Sequence, residues 1–221
     1  MVIGHFALAF AAKRAAPRTS LGTFFVAAQL ADLLWPIFLL LGWEQVQITR
    51  NADPFLTLSF TSYPWSHSLA TEILGGIAFG VLYFAVTRYL LGAIVVALLV
   101  PSHWLLDVIV HLPDLPLYPG GTARFGFSLW NNPAATMLVE AAMFVVGVAI
   151  YARTTQPRDR VGRYGLWALA TLLVVIYLAS AISPPPPNVR ALAWSALIGW
   201  PLTLFPWWVD RHRLAGSVSS P

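Results

Sequence analysis

Six stretches of roughly twenty mostly apolar residues, at 21–43, 67–87, 89–110, 133–152, 164–183 and 191–209, constrain this chain more than any other feature. Each is long enough to cross the hydrocarbon of a bilayer as an α-helix, and only helices or closed barrels satisfy their own backbone there. Charged residues make up 10% of the 221, against about 25% in soluble domains, too few to cover a water-soluble globule of this size. The expected fold class is therefore all-α. It is a single membrane domain over 1–221, a polytopic bundle of about six transmembrane helices. The opening twelve residues, MVIGHFALAFAA, are apolar but too short to span, and predict a short N-terminal interfacial or re-entrant segment. They are not expected to be a signal peptide, because Lys13, Arg14 and Arg18 follow the apolar run instead of preceding it.

Six spans put Lys13, Arg14, Arg18, Arg88, Arg153, Arg158, Arg160, Arg163, Arg211 and Arg213 on one side, and Arg50, Arg124 and Arg190 on the other. Basic residues concentrate on the cytoplasmic side, so both termini are expected there, with loops 44–66, 111–132 and 184–190 facing outward. Trp43, Trp65 and Trp130 then fall near the outer boundary, and Trp207 and Trp208 near the inner one, where amphipathic rings prefer to sit. The two longer outer loops are long enough to fold over a site. The Pro184 to Pro187 run is a stiff spacer. No internal repeat is visible, which gives an inverted-repeat transporter no support. The formal charge of +4 arises from these flanking clusters, so no nucleic-acid partner is expected. The chain has no cysteine, which removes disulfides, thiolate chemistry and Fe–S clusters.

Ionisable residues inside a bilayer are costly and usually face the bundle interior. Here they are Asp32 in span 1, His67 and Glu72 at the start of span 2, His103 and Asp107 in span 3 with His111 at its end, and Glu140 in span 4. At 1.5 Å per residue, Asp32 lies about 16 Å and His103 about 21 Å from the cytoplasmic starts of their helices, while Glu140 lies about 10 Å in from the outer face. These groups share one layer. A dip of the N-terminal segment from Lys13 would bring His5 roughly 12 Å deep, towards the same layer.

His103-Trp104-Leu105-Leu106-Asp107 is the most specific of these features. Residues four apart on a helix share a face and can present an imidazole and a carboxylate to one ion. Pro101 and Pro36 are expected to kink their spans beside the layer. Imidazole and carboxylate without thiolate suit Zn²⁺ best, with Mn²⁺ or Fe²⁺ as alternatives. A hydrogen-bonded His–Asp pair joining two helices would explain the motif without a metal. Glu72 and Glu140 are candidate catalytic residues, as general bases, or else hydrogen-bonded helix contacts. Gly76 and Gly80 permit close helix packing, and His212, between Arg211 and Arg213, reads as a solvated helix end.

The segments AQLADLLWP (28–36), SYPWSHSL (62–69) and SHWLLDVIVHLPDLPLYPGG (102–121), followed by Leu129-Trp130-Asn131, resemble the bacterial membrane proteins known as predicted metal-dependent hydrolases. In its order of histidines and aspartates that family is loosely similar to zinc-dependent phospholipase C. The resemblance covers roughly the first 140 residues. It implies His5, Asp32, His67, His103 and Asp107 as metal ligands and a place in the bacterial inner membrane. Leu34 stands where the family's aspartate motif often carries a second acid, and Ala31 where proline is usual, which argues against a second metal.

Two functions of different kinds follow. One is a metal-dependent hydrolase using metal-activated water on an ester or phosphoester of a lipid or lipid-linked substrate, taken from the outer leaflet. The other is a non-enzymatic transmembrane subunit whose polar layer only joins helices and whose aromatic exterior meets transmembrane partners. A proton or metal-ion transporter would need a polar path onward to the cytoplasm, and the inner halves of spans 2, 3 and 4 offer almost none.

Overall fold

A computed structural model of the chain describes residues 1–49 and 54–215. Arg50, one of the three outer-loop cations, lies outside the described residues. The protein is mostly helical. Five helices are long and apolar enough to cross a membrane: Leu69–Thr87, Leu90–Val110, Pro133–Thr154, Arg160–Ile182 and Val189–Arg211. A sixth candidate is the pair Leu21–Ala28 and Leu30–Leu41, bent by 53° where they meet.

The first helix, α1 (Ile3–Ala15), is buried inside the bundle, and its Ala9 and Phe10 have no exposed surface. At about 20 Å it is too short to span, and it is enclosed by its neighbours. These are α2 (Leu21–Ala28), α5 (Leu90–Leu99), α7 (Pro133–Thr154) and α8 (Arg160–Ile182). Phe10 meets Phe25, Phe144 and Tyr151 edge-on, which sets the spacing of α2 and α7 around it. Gly147 lets α7 close onto the backbone of Ala7; a Cβ there would run into the Ala7 carbonyl. The N-terminal segment is buried among other helices, and His5 is carried into the interior with it.

The span expected at 21–43 is broken, but not at its proline. Pro36 sits inside α3 (Leu30–Leu41), and the bend falls at Gln29, whose backbone (φ −110°, ψ 11°) leaves the helical region. Pro101 does interrupt its span. It has no N–H to donate, and the helix stops as α5 and restarts as α6 (Ser102–Val110). The span expected from residue 67 starts later, because Ser68 caps α4 (Leu69–Thr87) by accepting from the Thr71 N–H; His67 belongs to the preceding loop. Gly76 and Gly80 bring α4 against the Ala93 and Ala97 backbone of α5, as their spacing predicts. The last span is split into α9 (Val189–Ala196), α10 (Gly199–Leu202) and α11 (Leu204–Arg211).

The outer loops are not featureless. Strands β1 (Gln45–Ile48) and β2 (Leu58–Ser62) form one antiparallel ribbon, and β3 (Leu115–Pro116) and β4 (Arg124–Phe125) a second. At the opposite end β5 (Thr155–Pro157) pairs with β6 (Arg213–Ala215). The distribution of polarity is inverted relative to a water-soluble bundle. Leu74, Val81, Leu82 and Val86 of α4 are exposed, while Glu72, His103, Asp107 and Glu140 are buried. Lys13, which sequence counts among the flanking cations, is buried too. Its ammonium lies 2.7 Å from Asp210 of α11 and donates to the Thr19 carbonyl at 2.9 Å.

Candidate metal centre

Helix breaks build this site. Where α2 gives way to α3, the Ala28 carbonyl accepts a hydrogen bond from Nδ1 of His103 at 2.8 Å. Pro101 offers α6 no capping side chain, and the Trp104 N–H is taken instead by Glu72 Oε2 of α4 at 3.0 Å. The same device holds α1. Its cap residue Val2 has no side-chain acceptor, and Glu140 of α7 accepts from the N–H groups of Val2 (2.8 Å) and Gly4 (3.1 Å). Both buried glutamates thus satisfy orphan N–H groups at helix starts, one to three residues from a site histidine. Each keeps a second oxygen, Oε1, buried without a hydrogen-bond partner.

Four of the chain's five histidines converge with Asp32 and Asp107. His103 Nε2 lies 3.3 Å from Asp107 Oδ2 and 3.8 Å from Asp32 Oδ1. His67 Nε2 lies 3.4 Å from Asp32 Oδ1 and 4.0 Å from Asp107 Oδ2. His5 Nε2 is 3.1 Å from Asp107 Oδ1, and His111 Nε2 is 3.6 Å from Asp107 Oδ2. The Met1 nitrogen also contacts Asp107 Oδ1. The sequence expectation that His5, Asp32, His67, His103 and Asp107 meet is therefore realised in the positions of the side chains. His111 joins them by the same rule, one further step of four along α6.

The imidazoles are oriented as well as gathered. His103 donates Nδ1–H to Ala28. His67 Nδ1 lies 2.7 Å from Ser66 Oγ, which in turn donates to Glu44 Oε2 at 2.6 Å. Glu44 is itself pinned by the Trp65 and Ser66 N–H groups, both at 2.8 Å. His111 Nδ1 lies 3.0 Å from Asp114 Oδ1, which also accepts from the Tyr63 hydroxyl at 2.6 Å. Burial first, and Asp114 second, push the Tyr63 hydroxyl far above its ordinary pKa, so it remains a donor. Burial lowers the pKa of His111, which favours the neutral ring. With Nδ1 carrying the proton in each of the three, every Nε2 presents a lone pair towards the aspartates.

Bonds of about 2.0–2.2 Å to a tetrahedral ion separate its ligand atoms by about 3.4 Å. The four histidine–aspartate distances among His67, His103, Asp32 and Asp107 run from 3.3 to 4.0 Å and bracket that value. His103 Nε2, fully enclosed, has no hydrogen-bond partner, which is the state expected of a ligand atom and an expensive one otherwise. The donor set fits a divalent ion.

A cavity of about 240 Å³ opens over Asp32, His67, Asp107 and His111. Its roof is Phe60 of β2 with Thr57 and Leu58 just before it, and Trp130, whose ring lies 4.1 Å from that of His111. Loops 44–66 and 111–132 thus cover the site. Sequence reasoning missed Asp114, which touches His111, and Glu44, which reaches His67 through Ser66; neither touches the centre itself. For Asp114 the signal was present in its spacing of three from His111; for Glu44 there was none. No family model, curated protein or solved structure matches the chain.

Proposed function

We propose that this chain is a multi-pass membrane metallohydrolase acting on an ester or phosphoester of a lipid or lipid-linked substrate that enters from the outer leaflet. One observation carries the reading. Three histidines, one just before α4 and two at the ends of α6, are locked at Nδ1 by three different acceptors, so that all three Nε2 atoms face Asp107 and two of them face Asp32 as well. A structural His–Asp contact needs one such arrangement, not three, and outer partners of this kind accompany metal ligands.

In this reading His67, His103, Asp32 and Asp107 hold a single ion, zinc by its chemistry, with manganese or iron as alternatives. Such an ion supplies acidified water near neutral pH and stabilises charge developing on an ester oxygen. His5 Nε2, 3.1 Å from Asp107 Oδ1, holds that oxygen and leaves Oδ2 to face the ion, and His111 offers one more nitrogen on the cavity side. Glu72 and Glu140 act as positioning residues, holding the starts of the helices that bear His103 and His5. Phe60 and Trp130 keep bulk water from the centre, which strengthens the electrostatic interactions inside. The apolar exterior and the basic clusters support a bacterial inner-membrane location with both termini cytoplasmic.

Elemental analysis of detergent-purified protein tests this. About one zinc per chain is expected, lost in His103→Ala/Asp107→Ala while the helical circular dichroism is kept. Well-folded wild-type protein that stays metal-free after incubation with zinc, manganese and iron would defeat the reading.

A further inference from the structure

The two outer ribbons enclose a second cavity, of about 230 Å³, that shares no lining residue with the one over the metal centre. Thr61 and Ser62 at the end of β2 form one wall, and Asp114, Tyr118 and Arg124 of the β3–β4 hairpin and its flank form the other. The hydrogen bond from Tyr63 to Asp114, at 2.6 Å, ties the walls together. The hairpin turn is tight: Gly120 adopts φ +81°, and the Gly121 N–H donates to the Tyr118 carbonyl at 3.1 Å.

Two opposite charges line this cavity without pairing with each other. Arg124, an exposed residue, anchors Nη1 on the Gly121 and Ala123 carbonyls at 2.6 and 3.1 Å, which leaves Nε and Nη2 without partners among the described residues. Asp114 spends Oδ1 on His111 and Tyr63, and Oδ2, accessible in a side chain 22% exposed, keeps no partner among them either. Both charges are thus open to a ligand and held in place by other bonds. An anion alone would be repelled by Asp114, a cation alone by Arg124, and a neutral sugar would answer neither charge. A ligand carrying both signs answers both. Its positive end must bring N–H groups to Oδ2. A quaternary ammonium has none and is held by a cage of aromatic faces, whereas Tyr118 is the one exposed ring among the described residues that line the cavity.

We propose that this cavity binds a phosphoethanolamine group, its phosphate on Arg124 and its primary ammonium on Asp114, carried by a membrane lipid or free in solution. The site stands apart from the hydrolytic reading above, since it needs no ion in the centre. Trp65, next to the lining Pro64, and Tyr118 are 51% and 55% exposed. Amphipathic rings of this kind sit at the head-group level of a bilayer, which favours a lipid as the carrier.

The test titrates the full-length chain in detergent with short-chain phosphatidylethanolamine, phosphatidylcholine and phosphatidylglycerol, and counts bound lipid by native mass spectrometry. Phosphatidylethanolamine is expected to bind roughly tenfold more tightly than either of the others. Asp114→Asn keeps an Oδ1 acceptor for His111 and Tyr63 but loses the charge, and should abolish the preference over phosphatidylcholine. Arg124→Gln should weaken phosphatidylethanolamine about tenfold, and because Arg124 lies on the surface this variant is informative even where Asp114→Asn fails to fold. Arg190→Gln removes an outer-loop cation away from the cavity and should change nothing. Excess O-phosphoethanolamine separates the carriers: displacement of the lipid shows that the group suffices by itself, and lipid binding without displacement makes the lipid the ligand. Equal affinity for the three lipids, a preference unchanged in both cavity variants, or an equal loss in Arg190→Gln would overturn the proposal.

Discussion

The rings of His5 and His103 lie face to face, their centroids 3.6 Å apart and their planes within 6° of parallel. One ring arrives on a half-length helix from the start of the chain, the other on the second residue of a helix restarted after proline. The stack therefore aligns α1 with α6. His5→Phe should preserve the stack while removing Nε2 from Asp107. Its expected result is a thermal midpoint close to wild type with metal affinity reduced about 10- to 100-fold, read by competition with a zinc-chelating dye. His5→Ala should lose both.

Ser66→Ala and Asp114→Ala touch no ligand atom yet release the Nδ1 of His67 and His111. Each should weaken metal binding by about 10- to 100-fold, because freed rings no longer hold Nε2 on the centre. Isothermal titration in detergent reads this directly. Wild-type affinity in both variants would show that these partners serve packing only.

Glu140→Gln keeps an amide oxygen for the Val2 and Gly4 N–H groups, whereas Glu140→Ala leaves them buried and unsatisfied. The alanine variant should lose about 1–3 kcal/mol and the glutamine variant distinctly less, measured by unfolding in detergent mixtures. Glu72→Gln and Glu72→Ala should show the same order, through the Trp104 N–H.

Lys13 and Asp210 form a buried pair to which Tyr151 and the Leu21 N–H also contribute, at 2.7 and 3.1 Å from the aspartate. Lys13→Met or Asp210→Leu alone strands the other charge and should cost about 3–5 kcal/mol. The double variant should recover most of that loss. A double-mutant cycle on thermal unfolding measures the coupling.

Asp159 caps α8 by accepting from the Gly162 N–H at 2.9 Å, and its carboxylate also lies 2.6 Å from His212 Nδ1. The hydrogen bond from His212, with the backbone bond second, holds its pKa below the usual carboxylate range. A carboxyl depressed in the folded state contributes stability above its unfolded pKa of about 4, and that contribution is lost as pH falls through the folded value. Hydrogen exchange at the start of α8 should therefore accelerate at acid pH, and begin to do so at higher pH in His212→Ala.

How far the site could be read in advance depended on whether a residue's partner lay on its own helix. His103 and Asp107 were legible because a spacing of four fixes a shared face. Lys13 and Glu44 were not, because what buries them comes from Asp210 and from the 65–66 backbone. The bend at Gln29 escaped notice for a related reason. No proline or glycine marks it, and its freed Ala28 carbonyl is matched by a histidine 75 residues away. Pro36, the visible signal, fits within the helix.

Enclosure of α1 has a consequence for assembly. It is synthesised before every helix that surrounds it, and its ion-pair partner, Asp210, is made after α7 and α8. Its buried place is therefore completed only once α7, α8 and α11 exist to receive it. Maturation of this protein is thus governed by sequence-distant contacts, and ribosome-bound chains truncated before α11 should leave α1 accessible to protease.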